Sequence, residues 1–338
     1  MGSHKNTVAI ICNRTMGCDP ELFFSKGGKI VGCEKVLPED GLITGPRWPG
    51  DKTHKGVVLD GVQVELNPRP AACRQQLAAE IKLHMQNLRK HLKATEGVSV
   101  SFNTVVEVSE GELKSLSEKA RKLGCAPSSN CHNAKATIKV NPETYRKRSA
   151  GGHIHIGCSD LIGKKPKARL VPLLDILLGL PCVFIDRDPQ ARLRRRVYGR
   201  AGEYRLPAHG VEYRTLSNFW LRSYQTMSLV TGLARLAYSV LFTFPSCGYY
   251  CSDPKTGYGD YKTCSWDAED VLLSVVDLPL IQKAINRNSL ELATEAWQPV
   301  RAFISEHVTK RSAGLDQSNL EQFDYFCKKV QEHGLEYW

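Results

Sequence analysis

Two histidines lie two positions apart in the segment AGGHIHIGCS, residues 150–159, with glycines on both sides. The flanking glycines and the alternating apolar residues Ile154 and Ile156 indicate a short β-strand. Residues i and i+2 of a strand project from the same face of a sheet, so His153 and His155 are expected side by side. Neighbouring imidazoles can bind metals, move protons or contact phosphates, and the residues on adjacent strands decide between these roles.

Polar residues recur with the same spacing in other strand-like segments. These pairs are Asp19 with Glu21, Glu65 with Asn67 (Asp60 shortly before them), Glu203 with Arg205, and Glu212 with Arg214. A single pair is ordinary on a solvated strand face, but the whole set predicts one shared polar face. Unpaired charges are too costly to bury, so these side chains must compensate one another or hold ligands. Carboxylates with a histidine nitrogen favour Mg²⁺ or Mn²⁺, whereas zinc would be expected to recruit thiolates.

A basic stretch, RLRRRVYGRAGEYR, follows the histidine strand. Its arginines are Arg192, Arg194, Arg195, Arg196, Arg200 and Arg205. Such a run is commonly a solvated face or a nucleic-acid patch, but guanidinium groups also bind phosphate oxygens bidentately. Metal-binding carboxylates beside an arginine cluster suit phosphoryl transfer. The sequence has no GxxxxGK[ST] loop and no GxGxxG, so a P-loop or dinucleotide-fold mode of nucleotide binding is excluded.

The composition is that of an ordinary folded protein. The 338 residues are 42% hydrophobic and 24% charged, which allows a sizeable core. The net charge of +11 leaves three explanations open: a nucleic-acid surface, a cleft for a polyanionic ligand, or solubility alone. The longest apolar stretch is interrupted by Asp175 and two prolines, so no membrane span is expected. The N-terminal MGSHKNTVAIICNR lacks the apolar region of a signal peptide, so a cytoplasmic location is expected.

The cysteines are scattered through the chain. There are 12 of them, from Cys12 to Cys327, and without a secretion signal we expect free thiols. Cys247, Cys251 and Cys264 flank a tyrosine-rich segment without paired CxxC spacing. A surface loop is therefore preferred there over a structural zinc site.

Short strands punctuated by glycine and proline dominate the first half of the chain. Predicted hairpins are LFFSKGGKIVGCEKVL, turning at KGGK, and GVVLDGVQVELNP, turning at DG. Helices are predicted from Pro70 with an apolar stripe at Leu77, Ile81, Leu88 and Leu92, in GELKSLSEKARKLG, around residues 167–180, and from Asn218 onward. Strands followed by helices predict an α+β fold with a mostly antiparallel sheet, flanking helices and a helical C-terminal region. The expected division is a catalytic core at residues 1–220 and a helical part at 221–338 packed on it.

Four segments, GCDPELFF, DGVQVELNP, SAGGHIHIG and GVEYRTLSNFWL, together resemble the phage-encoded COOH–NH2 ligases (amidoligases) of the glutamine synthetase superfamily. The order and spacing of these motifs, from about residue 16 to 220, carry the resemblance. It implies a curved, glutamine-synthetase-like sheet with two or three divalent ions, Mg²⁺ or Mn²⁺, on its concave face. It also implies that ATP phosphorylates a carboxylate and that an amine then attacks the acyl phosphate to give an amide. For a phage-encoded protein, the expected location is the host cytoplasm.

The resemblance implies metal ligands on several of these strands. They are Glu21, Glu65, His153 and Glu212, with Asp19 and Asp60 as helpers. The first motif reads Asp-Pro-Glu where glutamine synthetases have two glutamates two apart, which leaves the ligands of the second metal open.

The resemblance also implies contacts to ATP and to the transferring phosphoryl group. Nucleotide contacts are expected from His155, Asn67, Arg195, Arg196 and Arg214, and catalytic contacts from Arg200, Arg205, Arg214 and Glu203. His155 is similar to a histidine that reaches an ATP phosphate, and Arg214 to an arginine on the γ-phosphate. Arg200 and Arg205 are similar to arginines on the transferring phosphoryl group or the substrate carboxylate. Asn67 and Glu203 are placed in the site without a specific role.

The substrates and partners remain open. GCAPSSNCHNA, residues 124–134, is expected to contact the substrate but is neutral and polar. The carboxylate and amine could belong to an amino acid, a polyamine, a peptide end, a larger polymer or a modified base in DNA, and a homo-oligomer is equally open. Alternative functions are a guanidino-kinase-like phosphotransferase and a basic nucleic-acid-binding module without catalysis. A cupin-like metal oxygenase is the weakest alternative, because the arginine cluster would be surplus to it.

Overall fold

The computed structural model describes residues 15–37, 42–44, 55–122, 128–133, 141, 144–157, 164–243, 268–305 and 315–333. The strands are β1 (Met16–Cys18), β2 (Glu21–Lys26), β3 (Lys29–Val31), β4 (Leu42–Thr44), β5 (Lys55–Asp60), β6 (Gln63–Leu66), β7 (Val98–Ser101), β8 (Val105–Glu107), β9 (Ser129–Asn130), β10 (Lys147–Ser149), β11 (Ile154–Gly157), β12 (Glu203–Arg205) and β13 (Gly210–Tyr213). The α-helices are α1 (Arg74–Leu92), α2 (Glu110–Lys114), α3 (Glu118–Arg121), α4 (Lys164–Leu174), α5 (Leu180–Ile185), α6 (Ala191–Val197), α7 (Tyr224–Thr243), α8 (Ala268–Val275), α9 (Leu278–Arg287), α10 (Leu290–Phe303) and α11 (Leu315–His333).

One antiparallel sheet, here called the main sheet, has the strand order β1–β11–β13–β12–β9. His155 of β11 pairs with Gly17 of β1 on one side and with Glu212 of β13 on the other. Glu212 pairs in turn with Arg205 of β12. Directly paired residues of antiparallel strands project from the same face. The predicted polar pairs therefore meet in a row that crosses neighbouring strands.

A second antiparallel sheet has the order β3–β2–β6–β5–β4, with β7 also paired to β2. Glu21 of β2 pairs with Glu65 of β6. Asp19 and Pro20 separate β1 from β2, so the chain passes there from the main sheet into the second sheet. The amide of Glu21 donates to the carbonyl of Gly151 at 2.8 Å, which ties the second sheet to the start of the histidine strand. The polar faces of the two sheets consequently adjoin.

Both predicted hairpins form. β2 and β3 pair around Gly27 and Gly28, whose φ angles of 55° and 75° suit glycine and strain other residues. β5 and β6 pair on either side of the predicted DG turn. The first hairpin is shorter than predicted, because Cys33–Lys35 forms a 3₁₀ turn where GCEKVL was expected to continue the strand. The buried residues of that segment follow turn spacing and do not alternate as in a strand.

Helix α1 begins at Arg74 and not at Pro70, because Ala71 first makes a reciprocal pair of backbone hydrogen bonds with Met16 of β1. Its predicted apolar stripe is buried, as expected. The predicted helix in GELKSLSEKARKLG divides into α2 and α3. Ser117 causes the division, since its side chain accepts a hydrogen bond from the amide of Ala120 and starts a new helix.

Helices cover the face of the main sheet opposite the polar row. Ile154 and Ile156 of β11 and Val211 and Tyr213 of β13 alternate with the polar residues and are buried. Helix α4 packs on β13, and α7 packs on β11. In the region predicted as a core helix, α4 continues through a π-helical segment, Asp175–Gly179, into α5.

The described residues after Asn218 form helices, as predicted: a 3₁₀ turn at Asn218–Arg222 precedes α7. Side chains of α5, α10 and α11 meet in an aromatic cluster, in which the ring of Phe323 lies 5.0 Å from Trp297 and 5.9 Å from Phe184. The predicted α+β class, with antiparallel sheets, flanking helices and a helical C-terminal region, is confirmed. Within the described part of the chain, no helix is long and apolar enough to cross a membrane.

Gly152 lies where two backbone segments cross too closely for a side chain. A Cβ there would come within 2.3 Å of the Ser217 carbonyl oxygen and of Trp220 Nε1. We expect Gly152→Ala to lower the free energy of unfolding by roughly 1–3 kcal/mol through overpacking. Gly111→Ala is the matched control, because nothing lies within 4 Å of its Cβ position and the residue is helical. Urea denaturation of both variants checks the prediction, and equal stabilities would contradict it.

Candidate active site

A second polar row lies one residue beyond the ends of the paired strands, where the pairing pattern of the main sheet continues. Asp19 follows β1, His153 precedes β11, and Arg214 follows β13. The amide of Arg214 donates to the carbonyl of Glu203 at 3.0 Å, so the ladder continues at this level. The two rows are His155–Glu212–Arg205 and Asp19–His153–Arg214–Glu203. The fold thus brings together most of the residues that the two-residue spacing singled out.

Asp19, His153 and Glu212 converge, each with one ligand atom within 4.8 Å of the other two. Nδ1 of His153 lies 3.0 Å from Oδ1 of Asp19 and 3.6 Å from Oε1 of Glu212. Among the described residues, neither His153 Nδ1 nor Asp19 Oδ1 makes a hydrogen bond of normal geometry, although both atoms are buried. Converging buried ligand atoms of this kind fit a divalent cation with oxygen and nitrogen ligands.

The second ring nitrogen of His153 is fixed by Tyr198, whose hydroxyl lies 2.5 Å from Nε2. This contact directs Nδ1 towards Asp19, as the outer partner of a metal-ligating histidine does. A Cβ at Gly151 would lie 2.2 Å from Nε2, so the ring requires the glycine. Burial lowers the pKa of His153 and favours the neutral imidazole that binds metals. Tyr198 was not predicted, because no strand spacing connects it with the histidines.

His155 contacts the same aspartate. Its Nε2 lies 3.1 Å from Oδ2 of Asp19, and its Nδ1 lies 2.9 Å from Nε2 of His209, a residue that the sequence did not indicate. Burial alone would lower the pKa of His155, but the hydrogen bond and charge of Asp19 outweigh it and raise this pKa. Burial likewise opposes ionisation of Asp19, yet the two histidines hold its pKa well below the usual range. Asp19 is therefore an ionised bridge between the imidazoles.

Glu21, Asp60 and Glu65 form an acidic group beside this cluster. Oε2 of Glu21 accepts hydrogen bonds from the Gly151 amide at 2.6 Å and from the Gln63 side chain at 2.7 Å. Oδ2 of Asp60 is buried and has no hydrogen-bond partner among the described residues. Gln63 was not predicted, although it lies two residues before Glu65 and so shares its face.

Mutual repulsion shapes the electrostatics of the acidic group. Burial and the charges of neighbouring carboxylates raise the pKa of Glu21 to about 8 and that of Glu65 to about 9. The pKa of Asp60 is also raised, by burial and then by the charge of Asp19. A side-chain hydrogen bond from Asn67 to Glu65 partly offsets the rise in the pKa of Glu65. Buried carboxylates that repel one another are stabilised as anions by a cation among them, so the group fits Mg²⁺ or Mn²⁺.

Arg205 and Arg214 are the predicted arginines that reach the cluster. Arg205 donates two 2.6 Å hydrogen bonds to the two carboxylate oxygens of Glu212. Nε of Arg214 lies 3.1 Å from Oε1 of Glu212, and its NH1 group donates to the hydroxyl of Ser128 at 3.0 Å. The Arg205 side chain is 34% exposed, whereas that of Arg214 is fully buried. Glu212 is thus shared between the histidine cluster and two guanidinium groups.

Other predicted arginines are held elsewhere. Arg195 is buried and donates to the side chain of Asn288, just after α9, at 2.6 Å. Arg200 donates to the carbonyls of Arg195 and Arg196 at 3.1 and 2.7 Å and so closes the C-terminal end of α6. Arg196 itself is exposed. These arginines lie apart because α6 is a helix, which points consecutive side chains in different directions. An extended strand would have placed alternate side chains on one face.

Glu203 and Arg194 support the backbone around the cluster. The buried carboxylate of Glu203 accepts the amide of Gly199 at 2.9 Å, four residues earlier. Arg194 donates to the carbonyl of Arg214 at 3.1 Å, and its guanidinium carbon lies 4.6 Å from the centre of the Tyr198 ring. Arg194 therefore fixes both the segment that carries Arg214 and the tyrosine that orients His153, a role that the basic run alone did not reveal.

The fold and the site define an α+β protein that gathers carboxylates, imidazoles and guanidinium groups, the ligands of divalent cations and phosphates, on one buried sheet face. Residues 113–247 match the family described as phage phiEco32-like COOH.NH2 ligase-type 2. This match confirms the predicted recognition of a carboxylate–amine ligase family over that part of the chain. It includes His153, Arg205 and Glu212, whereas Glu21 and Glu65 precede it.

Two solved structures are similar to the chain at low sequence identity. A bifunctional glutathione synthetase from Pasteurella multocida aligns with a TM-score of 0.43 and 11% identity, over 96% of this chain and 53% of that protein. A glutamine synthase homologue aligns with a TM-score of 0.34 and 10% identity, over 97% of this chain and 74% of the other. The chain thus spans about half the length of the glutathione synthetase. A search of curated proteins finds no match.

Burial and mutual repulsion raise the pKa values of the acidic group, and these shifts predict how the stability of the metal-free chain depends on pH. A carboxyl with a folded-state pKa of about 9, like Glu65, keeps its proton near neutral pH in the folded chain and loses it on unfolding. Its contribution to stability is therefore greatest in acid and declines as the pH rises towards about 9. We expect Glu65→Gln, which cannot titrate, to reduce this decline.

Thermal unfolding in a chelator across this pH range measures the effect. Glu118→Gln, at an exposed glutamate of α3, is the matched control and should follow the wild type. If Glu65→Gln and the wild type lose stability with the same slope, the electrostatic account of the acidic group is wrong.

Proposed function

We propose that the protein is an ATP-dependent carboxylate–amine ligase that forms an amide through an acyl phosphate. The observation that carries the proposal is the convergence of Asp19, His153 and Glu212 on one buried face beside Arg205 and Arg214. Metal-ligand side chains next to guanidinium groups supply the charge compensation that a nucleotide and a transferring phosphoryl group need. The match to a COOH.NH2 ligase family supplies the reaction that this chemistry would serve.

Mg²⁺ or Mn²⁺ would be held by the two groups of ligands. These are Asp19, His153 and Glu212 in one group and Glu21, Asp60 and Glu65 in the other. Bound ions of this type neutralise phosphate oxygens and polarise the phosphoryl group. The chain orients the ligands beforehand, because Tyr198 holds His153 and Gln63 holds Glu21.

In the first step, an oxygen of the substrate carboxylate attacks the γ-phosphorus of ATP. The bond to the oxygen that bridges the β- and γ-phosphates breaks, and the products are an acyl phosphate and ADP. Charge is spread over the equatorial phosphoryl oxygens in such a transfer, and we assign its stabilisation to Arg205 and Arg214. Arg205 is partly exposed and can turn from Glu212 to a phosphate. His155, whose pKa is raised beside Asp19, is assigned a contact to a nucleotide phosphate.

In the second step, the amine attacks the acyl carbon and the carbon–oxygen bond to phosphate breaks. The products are an amide, inorganic phosphate and a proton released from the amine nitrogen. Water would hydrolyse the acyl phosphate, so the site must exclude it. The exposed fractions of 3% for the Glu212 side chain and 0% for that of Arg214 support such exclusion.

The substrate carboxylate and amine are assigned to the side of the site formed by residues 128–130. Ser128 contacts Arg214, and β9 pairs with β12, the strand of Arg205. Residues 124–127 and 134 of the predicted substrate segment lie outside the described residues. The net charge of +11 suits an anionic or polymer-attached substrate, DNA included.

Release of ADP and phosphate from ATP and Mg²⁺ tests the proposal. The panel combines amino acids, polyamines, short peptides and nucleosides from digested DNA, with His153→Ala as the blank. Release that needs both a carboxylate and an amine, with the amide identified by mass spectrometry, supports ligation. ADP release with a phosphorylated guanidino compound and no free phosphate would favour a kinase instead. A folded chain that binds no ATP would contradict both.

Arg205→Ala is expected to lower kcat by about 10²–10³-fold with the stimulating substrate pair, because a guanidinium that stabilises developing charge is lost. The fold should tolerate the change, since the side chain is partly exposed. Arg89→Ala, at an exposed arginine of α1, is the control and should turn over like the wild type. An unchanged kcat in Arg205→Ala would remove this residue from phosphoryl transfer.

A further inference from the structure

A second cluster of metal-ligand side chains lies on the other face of the main sheet. Cys131 and His132 follow β9, and Asp175 begins the π-helical segment between α4 and α5. One ligand atom from each of the three residues lies within 4.8 Å of the other two. Tyr213, which alternates with Glu212 on β13, also reaches this cluster. The cluster is therefore separated from the candidate active site by the sheet itself.

The carboxylate of Asp175 is the centre of the cluster. It is completely buried, and its Oδ2 lies 2.7 Å from Nε2 of His132. Its Oδ1 accepts a 2.6 Å hydrogen bond from the hydroxyl of Tyr213. The hydrogen bond from Tyr213 to Oδ1 orients the carboxylate, so that Oδ2 faces His132. Hydrogen-bond partners outside a metal site orient its ligands in the same way.

The backbone that presents Cys131 and His132 is fixed by Asn130. Its side-chain oxygen accepts the amides of His132 and Asn133, both at 2.9 Å, and its side-chain nitrogen donates to the Ala201 carbonyl at 2.8 Å. The amide of Cys131 donates to the carbonyl of Gly202 at 3.0 Å. The backbone of Cys131 and His132 is thus fixed before a metal ion binds.

Two glycines leave room for the cluster. A Cβ at Gly202 would lie 2.4 Å from the His132 ring and 2.9 Å from the sulfur of Cys131. A Cβ at Gly179, in the π-helical segment, would lie 2.4 Å from the Tyr213 hydroxyl. π-helical insertions of this kind occur frequently at functional sites. The close approach of the three ligands therefore depends on specific small residues.

We propose that Cys131, His132 and Asp175 bind a zinc ion, with a fourth position open to water. A thiolate, an imidazole and a carboxylate form a borderline-soft ligand set that suits Zn²⁺ better than Mg²⁺. Zinc–ligand bonds of about 2.0–2.3 Å place the ligand atoms of a tetrahedral site roughly 3.3–3.6 Å apart. The three ligand atoms already lie within 4.8 Å of one another, so small side-chain movements would bring them to a zinc ion. This ion would join the edge strand β9 to the helical layer. Cys247, Cys251 and Cys264, which the sequence predicts to flank a surface loop, lie outside the described residues.

A nucleophilic role for Cys131 fits the surroundings less well. Burial and the neighbouring Asp175 carboxylate raise the pKa of its thiol far above the usual value. Reactive cysteines need the opposite environment, with cations or a helix N-terminus beside the sulfur. A bound cation would offset the charge of the carboxylate and stabilise the thiolate beside it.

Metal analysis and cobalt substitution of the full chain test the proposal. Protein purified without chelators should contain zinc, and Cys131→Ser and His132→Gln should lose it. Reconstitution of the zinc-free protein with Co²⁺ should give a thiolate-to-cobalt charge-transfer band in the near ultraviolet. A cobalt ion among the carboxylates of the candidate active site has no sulfur ligand and gives no such band. The readout is therefore independent of the ligase proposal.

Cys73→Ser is the matched control, because Cys73 is an exposed cysteine at the start of α1 and should leave zinc content and the cobalt band unchanged. Circular dichroism verifies that the variants remain folded. A wild-type protein that takes up neither zinc nor cobalt at sulfur would overturn the proposal. So would a charge-transfer band that persists in Cys131→Ser and His132→Gln, because the sulfur-bound ion would then lie elsewhere.

Discussion

Compensation of buried charge is the constraint on which the rest of the structure depends. Asp19 is ionised because two imidazoles surround it, and Glu212 is held by two guanidinium groups. In the acidic group of Glu21, Asp60 and Glu65, burial and the charges of neighbouring carboxylates outweigh the compensating contacts, so the pKa values of these residues are raised. A sheet face with this charge pattern cannot serve as an apolar core. A divalent cation would stabilise the anionic forms of these carboxylates, so the residues that repel one another in the metal-free chain are those that would hold Mg²⁺ or Mn²⁺.

The architecture turns this constraint into a site. Antiparallel pairing aligns polar residues across β1, β11, β13 and β12, while the alternating residues of the same strands face a layer of helices. The crossing from β1 into β2 at Asp19 and Pro20 brings the carboxylates of the second sheet beside this face. Gly151 and Gly152 allow the close contacts at the start of the histidine strand. The helical layer in turn places Asp175 against the sheet edge, where the proposed zinc site lies.

The sequence predicted the parts of the site that depend on strand periodicity. The two-residue spacing identified Asp19, His153, Glu212 and Arg214, and register then brought them together. Contacts that depend on tertiary packing were not predictable, such as the hydroxyl of Tyr198 on His153. The spacing in the basic run predicts one arginine cluster, but helix α6 divides the run, so that Arg195 is buried near α9 and Arg194 supports the backbone. The α+β class followed from element order, whereas helix starts shifted where backbone pairing or a serine cap intervened.

Binding of Mn²⁺, followed by the electron paramagnetic resonance signal of the free ion, tests the central claim most directly. The wild-type chain should remove Mn²⁺ from solution, and Asp19→Asn should bind it at least about tenfold more weakly, since ligand loss costs no less than the loss of an outer partner. Glu118→Gln should bind as the wild type does. A folded wild-type chain that leaves the free Mn²⁺ signal unchanged, or equal binding by Asp19→Asn, would contradict the assignment of this sheet face as a divalent-cation site.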